Sequence, residues 1–326
     1  MRSPHLFAGA RRLLVCVVWI LAMLSVAYLT WCWSASHGDR MAPVEARREA
    51  WQHALRWVSD NESRLLENPN SALWWMLHHA AEVSKDSYLR GLVDRHVSML
   101  YGNDREVHMP WRRMIDVNAK VSINQLPMEA LVGMVPYQRD FLHATLCAPV
   151  RTPDQAVSGE FLQRNLCRPN LLHVVFRDKV CATHQLMALQ VHRQGHCGGA
   201  QPSAALRAEL TEDVKAQLFW FPWFEDADLQ RVLMVYWQQG PSGVSPAWFN
   251  RVLEAQRSDG GWSGERQIIG LPDGLQPSVI RQSLDRWRGQ PVRPLASDFH
   301  ASAQGVLLVA LSLQHEHAGV WALGDE

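Results

Sequence analysis

The sequence predicts an all-α protein: an N-terminal transmembrane helix followed by a domain of packed helices. Three observations carry that prediction. Leu13 to Trp33 is a run of 21 residues without a charge. Downstream, apolar residues recur at helical spacing in one segment after another. In the C-terminal half a short unit repeats: an acidic residue, His or Cys within three positions, then Ala and Thr or Ser. It reads Asp140-Phe-Leu-His143-Ala-Thr145, Asp178-Lys-Val-Cys181-Ala-Thr183-His184 and Asp298-Phe-His300-Ala-Ser302.

The uncharged run is long enough to cross a bilayer core at about 1.5 Å per residue. Arg2, Arg11 and Arg12 precede it, while Asp39 and Arg40 follow. The basic flank assigns residues 1–12 to the cytoplasm and sends the C-terminus across the membrane. A cleaved signal peptide is the competing reading. Its apolar region would be roughly 7 to 15 residues long, shorter than 13–33. Tyr28, Trp31 and Trp33 supply an interfacial aromatic belt. The expected organisation is a cytoplasmic N-terminus (1–12), an anchor (13–33), a juxtamembrane linker (34–43) and an exported helical domain (44–326). With the Arg-rich basic set, this points to a single-pass protein of a bacterial inner membrane, its domain periplasmic and its partner the lipid bilayer.

Within 44–326, Trp51, Ala54, Leu55 and Val58 form the first helical stripe. Asn68-Pro69-Asn70 stops the chain before a second helix, Ser71 to Glu82. Leu89, Leu92, Val93, His96, Val97 and Leu100 mark a third, and Leu206 to Trp220 a fourth. Ser245-Pro246 is a cap followed by Pro in the first turn, and opens a helix through Gln256. Ile280, Leu284 and Trp287 mark another. His300 to Leu313 is apolar nearly all round, so it is expected to be buried. Leu171–Phe176 is the best strand candidate, and Val117–Leu126 is a short strand or an extended loop. His78-His79 and His315-Glu-His317 read as solvated helix faces.

Acidic and basic residues balance at 32 each, which excludes nucleic acid as the main partner. The 15 Trp residues read as fillers of helix–helix layers. Cys147, Cys167, Cys181 and Cys197 lie beyond the anchor, where disulfides form. A helix over 181–193 separates Cys181 from Cys197 by roughly 18 Å, too far for a bond needing Cα atoms within about 7 Å. Cys181 therefore pairs with Cys147 or Cys167, or stays free.

The last two copies of the repeat run into helices ending in Gln, a gap, Gly, any residue, then Cys or Trp. These ends are Gln190…Gly195-His-Cys197 and Gln314…Gly319-Val-Trp321. Gln256…Gly260-Gly-Trp262 stands between them. They resemble the QW motif of the terpenoid cyclase and protein prenyltransferase superfamily, an α/α toroid. Gln256–Trp262 matches the Gln-x3-Gly-x-Trp core outright; the other two match in part. In that reading each Gly ends its helix in a left-handed cap. The cyclase Asp-x-Asp-Asp block is absent, Asp226-Ala-Asp228 being a fragment of it, and prenyltransferase zinc ligands are not recognisable. Cys181-Ala-Thr-His184-Gln185-Leu186, closed by Cys197, is similar to a C-x-S-H-Q-L…G-C pattern in secreted proteins of unknown function.

The toroid resemblance implies parallel inner helices whose starts share one mouth. Asp140, His143, Asp178, Cys181, His184, Asp298 and His300 would gather there, with Asp140, His143 and Trp262 as ligand contacts. Three chemistries suit the set. Asp residues cap helix N-termini beside satisfied histidines. His184 and His300 work as acid/base groups oriented by Asp178 and Asp298. Or His184, His300, Cys181 and one Asp hold zinc, although no cofactor is the simpler expectation. No nucleophile elbow, Walker loop or dinucleotide fingerprint is present. The leading expectation is a domain that binds a small molecule or an envelope protein in a central cavity. An enzyme (hydrolase, lyase or cyclase) and a structural subunit of an envelope assembly are the alternatives.

Overall fold

The computed structural model describes residues 4–38, 40–101, 109–116, 118–119, 134, 136–147, 160–167, 180–195, 197, 202–277, 279–280 and 296–322. Asp178, the run 171–176, most of 117–126 and most of the helix expected near Leu284 lie outside these residues, as do the side chains of His315, His317 and Trp321. The chain is all-α. Among the described residues the β features are two isolated bridges, Phe224 with Gln267 and Gln256 with Trp262.

The N-terminal helix α1 spans Pro4–Ser36. From Leu14 to Ser36 it is long and apolar enough to cross a membrane. Then come α2 (Val44–Asp60), α3 (Glu62–Leu66), α4 (Ser71–Ser84), α5 (Ser87–Tyr101) and α6 (Met109–Arg112). The second half holds α7 (Pro136–Leu146), α8 (Cys181–Gln194), α9 (Ala204–Trp220), α10 (Asp226–Gln239), α11 (Pro246–Glu254) and α12 (Phe299–Ala322). Sequence-level caps explain several starts. The Asn70 side chain accepts the Ala72 and Leu73 N–H groups, and Ser245 accepts Ala247 N–H before Pro246. Asp298 Oδ1 accepts the His300 and Ala301 N–H groups at 2.8 and 3.0 Å, as a capping Asp should.

Helix α12 is the hub. Residues 301–312 are buried on every face, and the helix packs along α4, α10 and α2. Its few polar side chains are absorbed locally: Ser312 donates to Val309 O, and the buried Arg47 reaches Ser312 O at 2.8 Å. Trp74, Trp75 and Trp262 are fully buried, which fits the layer-filling reading of the tryptophans. Trp74 stacks on His96 with centroids 3.7 Å apart.

The Gln256–Trp262 segment is a staple. Gln256 Nε2 donates to Ala50 O and Gly260 O, both at 2.9 Å. Gly260 turns with φ +91°, and a Cβ there would lie 2.1 Å from His53 O. The Trp262 indole donates to Val252 O at 2.7 Å and lies on Gly305 of α12, where a Cβ would come within 2.5 Å of the ring. Trp262 is thus core rather than the expected ligand contact.

None of the three glycines caps its helix as expected: α11 already ends at Glu254 with Ala255 right-handed, and Gly260 turns the loop beyond it. Gly195 follows α8 with φ −67°, so it is not a left-handed cap. A side chain there would instead crowd Val191 O and Cys197 Sγ. Gly319 does not stop α12, which continues to Ala322; one internal Gly costs a helix only about 1 kcal/mol, and the neighbours are apolar or Ala. His78 and His79 are half-buried rather than fully solvated. Burial, with His78 nearby, pulls His79 down to about 3, and its ring meets Trp75 and Trp237 edge-on.

Helix α8 is tied at both ends. Cys167 pairs with Cys181 at its start, and Cys147 pairs with Cys197 just past its end. Gln185 explains the choice of Cys167. It accepts Leu166 N–H and donates to Phe161 O and Arg164 O at 2.8 to 3.0 Å, which folds 160–167 over the helix start.

The linker expected over 34–43 is instead clamped. Ser36 O accepts from Ser245 Oγ at 2.6 Å. Asn250 bonds both Arg40 O and Ala42 N–H. Cys32 and Ser36 are buried.

Replacing Trp262 with Ala is expected to cost about 3–5 kcal/mol, as for other buried aromatics. Gly305→Val should cost at least the roughly 1–3 kcal/mol typical of overpacking. Denaturant midpoints of the purified protein measure both; a change within error at either position would remove the staple from the account.

Candidate functional site

The starts of α10 and α12 meet because one loop binds both. Trp262 O accepts Asp298 N–H at 2.7 Å, and Trp262 N–H donates to Ser302 Oγ at 2.9 Å. Further on, Phe224 and Gln267 exchange backbone bonds at 2.8 and 2.7 Å, and Gly264 O accepts Asp226 N–H at 3.4 Å. Gly264 lies between the two acids: a Cβ there would lie 3.6 and 3.7 Å from the Cβ atoms of Asp298 and Asp226. Residues 262–267 thereby splint Asp226 on α10 to His300 on α12.

His300 Nδ1 lies 3.0 and 3.1 Å from the two Asp226 carboxylate oxygens. The buried Gln304, one turn on, donates to Asp226 Oδ1 at 3.3 Å. Burial lowers the affinity of His300 for a proton, but the Asp226 hydrogen bond and charge, with Asp298 behind, outweigh it and raise its pKa. Asp226, Asp298 and His300 offer ligand atoms within 4.8 Å of one another, which is close enough for a metal ion.

His184, on the first turn of α8, reaches the same place. It stacks on Tyr137 with centroids 4.2 Å apart and meets Phe141 edge-on. Burial first, then the charge of His300, lowers it to about 4, so it is neutral at physiological pH. Its Nδ1 is buried and makes no hydrogen bond among the described residues. Both histidines line an open cavity of about 690 Å³. Its apolar wall is Trp111, Met114, Met134, Tyr137, Phe141 and Met187. Gln138 and Gln230 are polar, and Pro69 to Ala72 at the start of α4 close another side. Gln230 accepts from Thr183 Oγ1 at 3.2 Å, while among the described residues its amide donor has only Met187 sulfur, at 3.8 Å.

The structure brings together His184, His300 and Asp298 of the expected set. It leaves others apart. Asp140 is not a cap, because α7 begins at Pro136 and places it in the second turn; it is half-buried and does not line the cavity. His143 is buried edge-on against Phe161 at 5.2 Å. Cys181 is spent in its disulfide, so the zinc set of His184, His300 and Cys181 lacks its thiolate. Asp178 lies outside the described residues. Asp226, the carboxylate that orients His300, was visible in sequence only as part of a broken Asp-x-Asp-Asp block. The legible signal was the Asp226-Ala-Asp228 acidic start ahead of the apolar run Leu229, Val232, Leu233, Tyr236.

Each residue of Cys-Ala-Thr-His-Gln-Leu now has a place. Cys181 and Gln185 tie the helix start, Thr183 steadies Gln230, His184 faces the cavity, and Ala182 and Leu186 fill the core. No known protein family, curated protein or solved structure matches this chain.

Two pH measurements test these environments. In NMR titrations His300 should titrate above the ordinary value of about 6.5, and Asp226→Asn should bring it down; an unshifted variant would contradict the pairing. Burial pushes the Asp140 carboxyl up to about 6, with Arg139 opposing. Since the folded value exceeds the unfolded one near 3.9, the stability linked to this proton is complete below about pH 4 and lost as pH rises through about 6. Asp140→Asn should therefore raise Tm relative to wild type above about pH 6.5 and not near pH 4. A pH-independent difference would contradict the burial.

Proposed function

We propose that the domain is exported and membrane-anchored through α1, and that it binds a small, partly apolar molecule in the cavity between His184 and His300. The observation that carries this reading is the open cavity of about 690 Å³ on which His184, Gln230 and His300 converge from three helices. The aromatic and Met wall suits an apolar body, and the convergent His and Gln groups suit a polar end. The staple at Gln256–Trp262 supports the toroid resemblance, and the balanced charge supports a small molecule over a polyanion. Retention of α1 as an uncleaved anchor in a bacterial inner membrane is supported by its clamp to α11: removing it would expose the surface that buries Cys32 and Ser36.

The Asp226–His300 pair favours a second reading, acid/base catalysis in the same cavity. A carboxylate on Nδ1 fixes the ring and its tautomer, and leaves Nε2 as the proton-exchanging atom toward a bound substrate. The bond to be broken depends on the ligand, which this pair alone does not specify.

Metabolites retained by the purified full-length protein would be compared with those retained by His184→Ala and His300→Ala. Losing one hydrogen bond of about 1.4 kcal/mol weakens binding about tenfold. Compounds enriched by wild type should therefore be depleted in both variants. Identical profiles from all three folded proteins would overturn the cavity as the site.

A further inference from the structure

The exported domain touches α1 below the level at which that helix leaves the bilayer. Tyr28 hydroxyl donates to Trp220 O. The Trp31 ring lies 6.5 Å from Trp223. The apolar run ends at Trp33, so Tyr28 sits five residues, roughly 7 Å, inside that end. With Leu13 at the cytoplasmic edge, 21 residues span about 31 Å, close to the roughly 30 Å of a hydrocarbon core. No comfortable shift of α1 lifts Tyr28 and Trp31 clear of the lipid without exposing apolar turns at the outer side. A segment bonded to Tyr28 must therefore sit at the headgroup and upper acyl level.

That segment has the composition the level demands. Phe219-Trp-Phe-Pro-Trp-Phe224 carries no charge; Phe221, Pro222 and Phe224 are buried in the domain, which leaves Trp220 exposed and Phe219 and Trp223 partly exposed as its outward residues. Trp220 is 38% exposed and Trp33 60% exposed. Trp prefers the interface because its ring is apolar and its N–H is polar. Arg266 lies 4.5 Å over the Trp223 ring and pairs with Glu225 at 3.1 Å, while the buried Arg251 donates to Pro222 O at 2.9 Å and the buried Arg231 lies 5.4 Å from the Phe221 ring, so the charges beside the turn are paired or taken up inside the domain.

We infer that the turn Phe219–Trp223 is a second membrane contact, seated in the outer interface beside α1, so that the domain rests on the bilayer in one orientation. The partner is the headgroup–acyl boundary of a phospholipid bilayer. Trp31, Trp33 and Trp220 form a single belt across two distant parts of the chain. The inference rests on α1 spanning the membrane, as proposed above.

The test uses the unaltered full-length protein in phosphatidylcholine nanodiscs containing a phosphatidylcholine with a diazirine at the headgroup end of its acyl chain. After illumination and trypsin, lipid adducts are mapped by mass spectrometry. Adducts are expected on α1 and on Ala216–Arg231, severalfold above the peptide carrying Met99, an exposed apolar residue of α5 (56% exposed). Adducts on α1 with Ala216–Arg231 no higher than the Met99 peptide would overturn the inference and leave the anchor intact. Adducts on neither would overturn the anchor as well.

Discussion

The fit of Trp262 against Gly305 is the constraint on which the rest depends. It joins three parts of the chain that are distant in sequence. The ring fixes the staple on the buried hub α12. The indole N–H ties it to the end of α11, and the Trp262 backbone receives the first turn of α12 through Asp298 and Ser302. A side chain at Gly305 would push the ring out, and the start of α12 would lose two of its anchors. The same loop binds Asp226 two residues further on, through Gly264, and Phe224 five residues on, through Gln267. Core packing and site geometry are therefore one feature: the residue that fills the core also sets the position of His300.

The second wall of the cavity is fixed by different means. Among the described residues, helix α8 carries no comparable aromatic staple. Its ends are secured by two disulfides, and its first turn by Gln185. Chain cross-links of this kind act largely by restricting the unfolded chain, and here they tie α8 to the end of α7 and to the segment 160–167. Against this frame the two histidines are held in opposite protonation states. His184, desolvated and near a positive neighbour, is neutral. His300, beside Asp226, favours its proton. Groups pushed apart in this way are a common property of binding and catalytic sites, which is why the proposed function centres on them.

Much of this was legible in the residues. Helix starts at Ser71, Pro246 and Phe299 follow from their caps, and the burial of 301–312 follows from an apolar helix without a polar face. The Gln256–Trp262 motif marked a structural joint before its partners were known. What failed was the assumption that similar strings play similar parts. Asp298 caps its helix, but Asp140 lies inside one because Pro136 starts α7 earlier. Gly260 is left-handed, Gly195 is not, and Gly319 is simply helical. Asp226 was overlooked because its importance lies in a contact 74 residues away in sequence, made by a loop whose path no local pattern reveals. The pairing of Cys181 likewise depended on Gln185 folding a distant segment over the helix.

The central claim is that the Trp262 loop sets the environment of His300. The most direct measurement is the side-chain pKa of His300 in Trp262→Phe, a variant that keeps an aromatic ring in the core but loses the indole bond to Val252. The account predicts cooperative unfolding in this variant, with His300 titrating closer to an ordinary histidine and His184 unchanged. A folded variant whose His300 titrates as in wild type would contradict it.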